Sequence, residues 1–126
     1  MLEVGHLGTA GEQMSIIKAK IWIEEKGVKI YGDGPWDILA RVERTGSLRQ
    51  AATEINMSYS QAWRLIKTIE KNLGYPLLEK QTGGAGGGYS KLTSRAKALT
   101  NAYGQFREEA ELSLERLFKT HLTGFL

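Results

Sequence analysis

The sequence predicts a mainly α-helical fold with small β-hairpins. Three observations carry that expectation: two closely spaced helix starts, each led by a serine; a glycine-rich stretch between two short extended segments; and a long helical pattern toward the end of the chain. The helix starts are Ser47-Leu-Arg-Gln50 and Ser58-Tyr-Ser-Gln61. In each, the serine oxygen is placed to accept a backbone N–H of the first turn, and the glutamine three residues on to reach back to the serine N–H. Between them, Ile55-Asn56-Met57 reads as a tight turn with Asn56 in the left-handed conformation. The helix opened by Ser47 is short and buries Leu48, Ala51, Ala52 and Ile55. The helix opened by Ser58 buries Ala62, Ile66, Ile69 and Leu73, and Gly74 and Pro76 stop it. Ala51 and Ala52 are small enough to let a second helix cross close by. A small pair, a turn, then a polar-fronted helix is the pattern of a helix-turn-helix.

The flanking elements follow in order. Residues 1–17 are polar and contain glycine without a clear period, so a flexible leader is expected, disordered at least to Gln13. Lys18–Glu24 alternates, with Ala19, Ile21 and Ile23 on one side and Lys18, Lys20 and Trp22 on the other. Together with Val28–Tyr31, across Glu25-Lys26-Gly27, it predicts a β-hairpin. A helix is expected from about Pro35 to Arg44, with Trp36, Ile38, Leu39 and Val42 inward and Gly46 as its end. Pro76–Gln81 and Tyr89–Thr93 bracket Gly83–Gly88 and predict a second hairpin, a wing. From Thr93 to about Leu122 the chain reads as one helix. Its stripe of Ala96, Leu99, Tyr103, Phe106, Ala110, Leu114 and Leu117 repeats at threes and fours.

So long a stripe cannot be covered by so small a domain. A homodimer is therefore expected through Leu99, Tyr103, Phe106, Ala110, Leu114 and Leu117, the alternative being a helix folded back on its own domain. The expected organisation is a leader (residues 1–17), a winged helix-turn-helix domain with an N-terminal hairpin (18–93), and a long C-terminal dimerisation helix with its tail (94–126).

Charge and composition narrow the function. The net charge is +3, but residues 47–97 hold eight Lys/Arg against three Glu, and the segments on either side are each −1. Clustered positive charge suits a polyanion, although a solvated basic face gives the same count. No apolar run approaches membrane-spanning length, no signal peptide is evident, and there is no cysteine, which together place the chain in the cytoplasm. His6 and His121 are far apart in sequence, and neither a nucleophile–base pair nor a set of metal ligands can be read. No enzymatic activity, cofactor or metal is expected. The glycine-rich stretch lacks the lysine spacing of a nucleotide-binding loop.

Three segments taken together resemble a known family. Gly46-Ser-Leu-Arg-Gln-Ala-Ala52, Met57-Ser-Tyr-Ser-Gln-Ala-Trp63 and Thr82-Gly-Gly-Ala-Gly-Gly-Gly88 are similar to the DNA-binding domain of ModE-type molybdate-responsive regulators, within the LysR-type winged helix-turn-helix group. The resemblance covers about residues 18 to 122. It implies a double-stranded DNA-binding transcriptional regulator that dimerises through the long helix. It also implies molybdate-binding domains after that helix. This sequence shows none before Leu126, so no small-molecule effector is expected to act on this chain.

In a helix-turn-helix the start of the second helix enters the major groove. That assigns Ser58, Tyr59, Ser60, Gln61 and Arg64 to DNA, with Lys67 a turn further on. Arg64 suits guanine and Gln61 adenine, although Gln61 serves equally as half of the cap, and Tyr59 has a second reading on the rim of the core. Trp63 is assigned to the core rather than to bases. The free N–H groups at the start of the preceding helix, together with Arg49, suit a phosphate, and Lys80, Lys91 and Arg95 flank the wing. The rival reading is a winged-helix protein-interaction module, or a chain that modulates another regulator by heterodimerising with it.

Overall fold

The structure is a computed structural model that describes residues 2–7, 15–79 and 89–126, with residues 2–7 described by their backbone. Two compact units are present, one of residues 22–102 and one of residues 1–21 with 103–126. Each is taken by itself.

The larger unit opens on a hairpin of β1 (Trp22–Glu25) and β2 (Val28–Gly32), antiparallel, with a register shift between Ile23 and Glu24. Lys26 and Gly27, both at positive φ (52° and 79°), form its two-residue turn. The sequence predicts a single strand over Lys18–Glu24. The chain instead leaves sheet pairing at Lys20 and Ile21, and the two parts of that segment join different sheets. Continuous alternation carries no mark of such a break.

Helix α1 spans Asp33–Thr45 and buries Pro35, Ile38, Leu39 and Val42. Gly46 ends it at φ 73°, donating to the Val42 carbonyl at 2.7 Å, a left-handed cap that glycine adopts without Cβ strain. Helix α2 (Leu48–Glu54) buries Leu48, Ala51 and Ala52, and helix α3 (Tyr59–Leu73) buries Ala62, Ile66 and Ile69. Asn56 sits at φ 56° in the turn between them, as its position predicts. Leu78 pairs antiparallel with Leu92 where the segments after α3 and before α4 meet, and Leu77 and Leu92 are both buried. There Glu79 N–H donates to Lys91 O at 2.8 Å and Thr93 N–H to Leu77 O at 3.0 Å. This is the base of the predicted wing; its glycine-rich part, with Lys80, lies outside the described residues.

Helix α4 (Ser94–Leu122) begins in this unit, capped by the Thr93 hydroxyl, which accepts from Ala96 N–H at 3.1 Å. Trp36 Nε1 donates to the Thr100 carbonyl at 3.1 Å, tying α1 to α4. Tyr31 is fully enclosed nearby, and burial pushes its phenol pKa well above the ordinary value.

In the other unit two further strands pair antiparallel: β3 (Leu2–Leu7), with a register shift between Glu3 and Gly5, and β4 (Ser15–Ala19). The aperiodic leader thus includes a strand. With Gly5 and a register shift in its middle, it shows no clean two-residue alternation to read. Tyr103 is buried here, its hydroxyl donating to Ile21 O at 3.2 Å, and Arg107 is 1% exposed, with Nη2 donating to Ala19 O at 3.3 Å. No described helix is long and apolar enough to cross a membrane.

Arg41 and Arg44 of α1 both grip the Glu54 carboxylate at the end of α2, and Arg41 also pairs with Asp37 at 3.1 Å. The Arg41 hydrogen bond, then that of Arg44, holds the Glu54 carboxyl below its ordinary value of 4.5. A depressed carboxyl pKa contributes stability above the ordinary value and loses it as pH falls through the lower folded one. Glu54→Gln should therefore lower the urea midpoint slightly at neutral pH, and that deficit should shrink below pH 4.5. A deficit that persists unchanged in acid would remove the ion pairs as its cause.

Candidate nucleic-acid interface

The site is built on two helix starts whose caps differ. At α3 the capping box is complete: the Ser58 hydroxyl accepts from Gln61 N–H at 3.1 Å and Gln61 Oε1 accepts from Ser58 N–H at 3.1 Å. At α2 only the first half forms, with Gln50 N–H donating to Ser47 Oγ at 3.0 Å. The reciprocal place is taken by Thr45, whose hydroxyl accepts from Ser47 N–H at 3.2 Å. A threonine at the end of α1 thus replaces the expected glutamine. Ser58→Ala should cost about 1 kcal/mol by chemical denaturation. An unchanged midpoint would show that the cap is not stabilising.

The α2 start is also less open to an outside anion than the sequence suggests. Leu48 N–H donates to the Ser90 hydroxyl at 3.1 Å, and Ser90 N–H donates back to the Gly46 carbonyl. The base of the wing thereby satisfies one of the donors that sequence reasoning assigned to a phosphate. The Arg49 side chain is exposed, with its guanidinium 4.4 Å from the centroid of the half-buried Tyr59 ring. Arg49 and Tyr59 are therefore brought together across the turn.

Along α3, Ser58, Ser60, Gln61, Arg64 and Lys67 are exposed, as a groove-facing strip requires. Arg64 forms no hydrogen bond or ion pair among the described residues and carries its five donors outward. Gln61 is constrained, because its amide oxygen already serves the cap. Bidentate pairing with adenine would need that oxygen together with Nε2. Lys67 lies 3.2 Å from Glu70 Oε1 and 5.2 Å from the Trp63 ring centroid, so its charge is partly committed within the helix. Glu70 Oε2 in turn accepts from Leu77 N–H at 2.7 Å, fixing the wing base to the end of α3.

The assignment of Trp63 to the core is corrected: it is 45% exposed. Ala62, Ile66 and Ile69 already fill the inner face of α3, and residue 63 is turned about 100° from residue 62 around a helix. Tyr59, Ser60, Trp63 and Arg64 line an open concavity. Sequence reasoning missed this feature. The signal was the i, i+4 spacing of two aromatics outside the apolar stripe.

On the wing side, Lys91 is exposed and paired through its backbone, and Arg95, at the start of α4, stacks 4.3 Å over the Tyr75 ring. Of the residues assigned to a dimer, Tyr103 is buried within its own chain, Leu99, Ala110 and Leu114 are half-buried, and Phe106 and Leu117 are about half exposed at 50% and 47%. Tyr103 is thus taken up internally. Leu112, at 60% exposure, joins the exposed apolar side chains of α4.

Comparison with known proteins agrees with this geometry. Residues 36–97 match the model of the bacterial regulatory helix-turn-helix protein, lysR family. The transcriptional regulator ModE of Haemophilus influenzae is 38% identical over 66 residues, which are 52% of this chain and 26% of that protein. The molybdenum-pterin-binding protein MopB of Rhodobacter capsulatus is 37% identical over 67 residues, 53% of this chain and 25% of that one. The aligned part thus spans about a quarter of those relatives. A crystal structure of a CbnR_DBD–DNA complex shares the fold, with a TM-score of 0.55 at 24% identity, covering 68% of this chain and 92% of that one. Residues 36–97 thus form a regulatory helix-turn-helix domain of the lysR type.

Proposed function

We propose that this protein is a sequence-specific, double-stranded DNA-binding transcriptional regulator of ModE-like type. The observation that carries the reading is the outer strip of α3. Ser60, Trp63 and Arg64 face solvent on its first two turns, beside Arg49 and on the same domain as Lys91 and Arg95. A cationic, hydrogen-bonding helix start backed by a wing is what major-groove reading with flanking phosphate contacts requires. The regulator families that this chain matches are not enzyme families, which supports a binding role without catalysis. Arg64 and Ser60 read base edges; Arg49, Lys67, Lys80, Lys91 and Arg95 supply charge toward phosphates; Ser58 and Gln61 hold the helix start in shape.

The protein acts in the cytoplasm as a homodimer. The exposed Phe106, Leu112 and Leu117 of α4 support pairing with a second copy. The same side chains suit a heterodimer with a longer relative, the second reading.

The test is binding of the purified protein to a labelled fragment of its own upstream region, and to duplexes selected from a random library, titrated with salt and excess random duplex. Binding that survives the competitor and weakens steeply with salt is expected. No binding to any duplex at low salt would remove DNA as the partner. Sedimentation of the same sample as a monomer across the working concentrations would remove the homodimer.

A further inference from the structure

We infer that the concavity of Tyr59, Ser60, Trp63 and Arg64 is a thymine-reading site, which receives the 5-methyl group of a thymine in the major groove against the Trp63 ring. This deepens the DNA-binding reading and rests on it. The four residues occupy positions i, i+1, i+4 and i+5 of α3, so they form one strip about a turn long at the end of the helix that enters a groove.

Trp63 gains little inside its own chain. The inner face of α3 is closed by Ala62 and Ile66, at 0% and 1% exposure, yet the indole is left 45% exposed one position away. Neighbouring cations hold the aromatic pair in place. The Arg49 guanidinium lies over the Tyr59 ring at 4.4 Å, and the Lys67 ammonium over the Trp63 ring at 5.2 Å. An apolar hollow edged by Arg49, Arg64 and Lys67 is complementary to an apolar group carried on a polyanion, and unsuited to an apolar patch on a basic or neutral protein.

Among the groups that base edges show in the major groove, the thymine methyl is the apolar one. The polar members of the hollow fit its surroundings. The Ser60 hydroxyl can donate to thymine O4, and the Arg64 fork can take the acceptors of a neighbouring guanine. The cap strengthens the assignment by engaging the Gln61 amide oxygen, which leaves base reading on this strip to Ser60, Trp63 and Arg64. Trp63 is thus a specificity-determining residue.

The test uses duplexes that the full chain selects from a random library. Each thymine is replaced singly by deoxyuridine, which removes the methyl group and leaves every hydrogen-bonding atom. One or two thymines per half-site should lose about threefold to tenfold in affinity when demethylated. Trp63→Ala should bind the thymine and deoxyuridine duplexes alike at those positions, while Trp63→Phe, which keeps a flat apolar wall, should retain part of the discrimination. Circular dichroism confirms that each variant is folded. Full discrimination retained by Trp63→Ala, or no methyl-sensitive thymine in a selected site, would overturn the thymine site and leave DNA binding standing. A selection that enriches no sequence would overturn the regulator reading itself, and the site with it.

Discussion

Replacing Arg64 by alanine should lower the preference for a selected site over random duplex by about tenfold to a hundredfold, with a much smaller change on random DNA. Arg64 stands on the second turn of α3, exposed and without a hydrogen bond or ion pair among the described residues, so nothing intramolecular competes for its fork. A guanidinium paired to guanine O6 and N7 makes two parallel hydrogen bonds, which a lysine cannot reproduce. Arg64→Lys should therefore recover overall affinity but little of the specificity. Lys91→Ala is the contrasting change. Lys91 sits on the base of the wing, and loss of a phosphate contact should weaken specific and random binding alike and flatten the salt dependence by about one counterion. Anisotropy titrations of the three variants on selected and random duplexes check this. Equal effects of Arg64→Ala and Lys91→Ala on both duplexes would overturn the division of labour.

The second large effect is on stability. Ile66 is 1% exposed on the inner face of α3, where that helix packs against α1, α2 and β2. Truncation to alanine leaves a cavity in a close-packed centre and should cost about 2–5 kcal/mol, with a fall in Tm of roughly 10 °C or more. Since a domain of this size holds only about 5–15 kcal/mol in total, binding should fail on warming well before it does in the parent protein. Lys71→Ala, on the exposed side of the same helix, should change stability by less than about 0.5 kcal/mol. Thermal unfolding followed by circular dichroism separates the two. An Ile66→Ala protein as stable as the parent would show that the centre of the domain lies elsewhere.

The parts of this molecule that could be read from its residues are those set by local chemistry. Gly46, Asn56 and Gly74 end or turn helices because only certain residues take positive φ readily, and Ser58 with Gln61 closes a helix start within four residues. Ala51, Ala52, Ala62 and Ile66 were legible as inward because a helix repeats its face every turn. What escaped reading depends on partners distant in sequence. Thr45 displaces Gln50 from the α2 cap, and Ser90 reaches that helix start from 42 residues away. Trp63 looked like core because it stands next to the apolar face of α3, but that face had no room left for it. Arg107 gave no sign of burial, since a charged side chain is normally solvated, yet it donates to Ala19 O across 88 positions. Within the candidate site, the strip on α3 was legible as a strip. The pairing of Tyr59 with Arg49 and of Trp63 with Lys67 was not, because it follows from rotamers rather than from spacing.

The two ends of the glycine-rich stretch are pinned by residues outside it. One is held by Glu70 on Leu77 N–H, the other by Ser90 at the start of α2, and the Leu78–Leu92 pairing joins them. Lengthening the connection across residues 80–88 removes none of these bonds, and each doubling of a chain segment costs about 0.6 kcal/mol in closure entropy. An insertion or deletion there leaves in place the contacts that hold the end of α3 and the start of α2. The length of that stretch is thus a property that can be changed separately from the frame that carries α2 and α3.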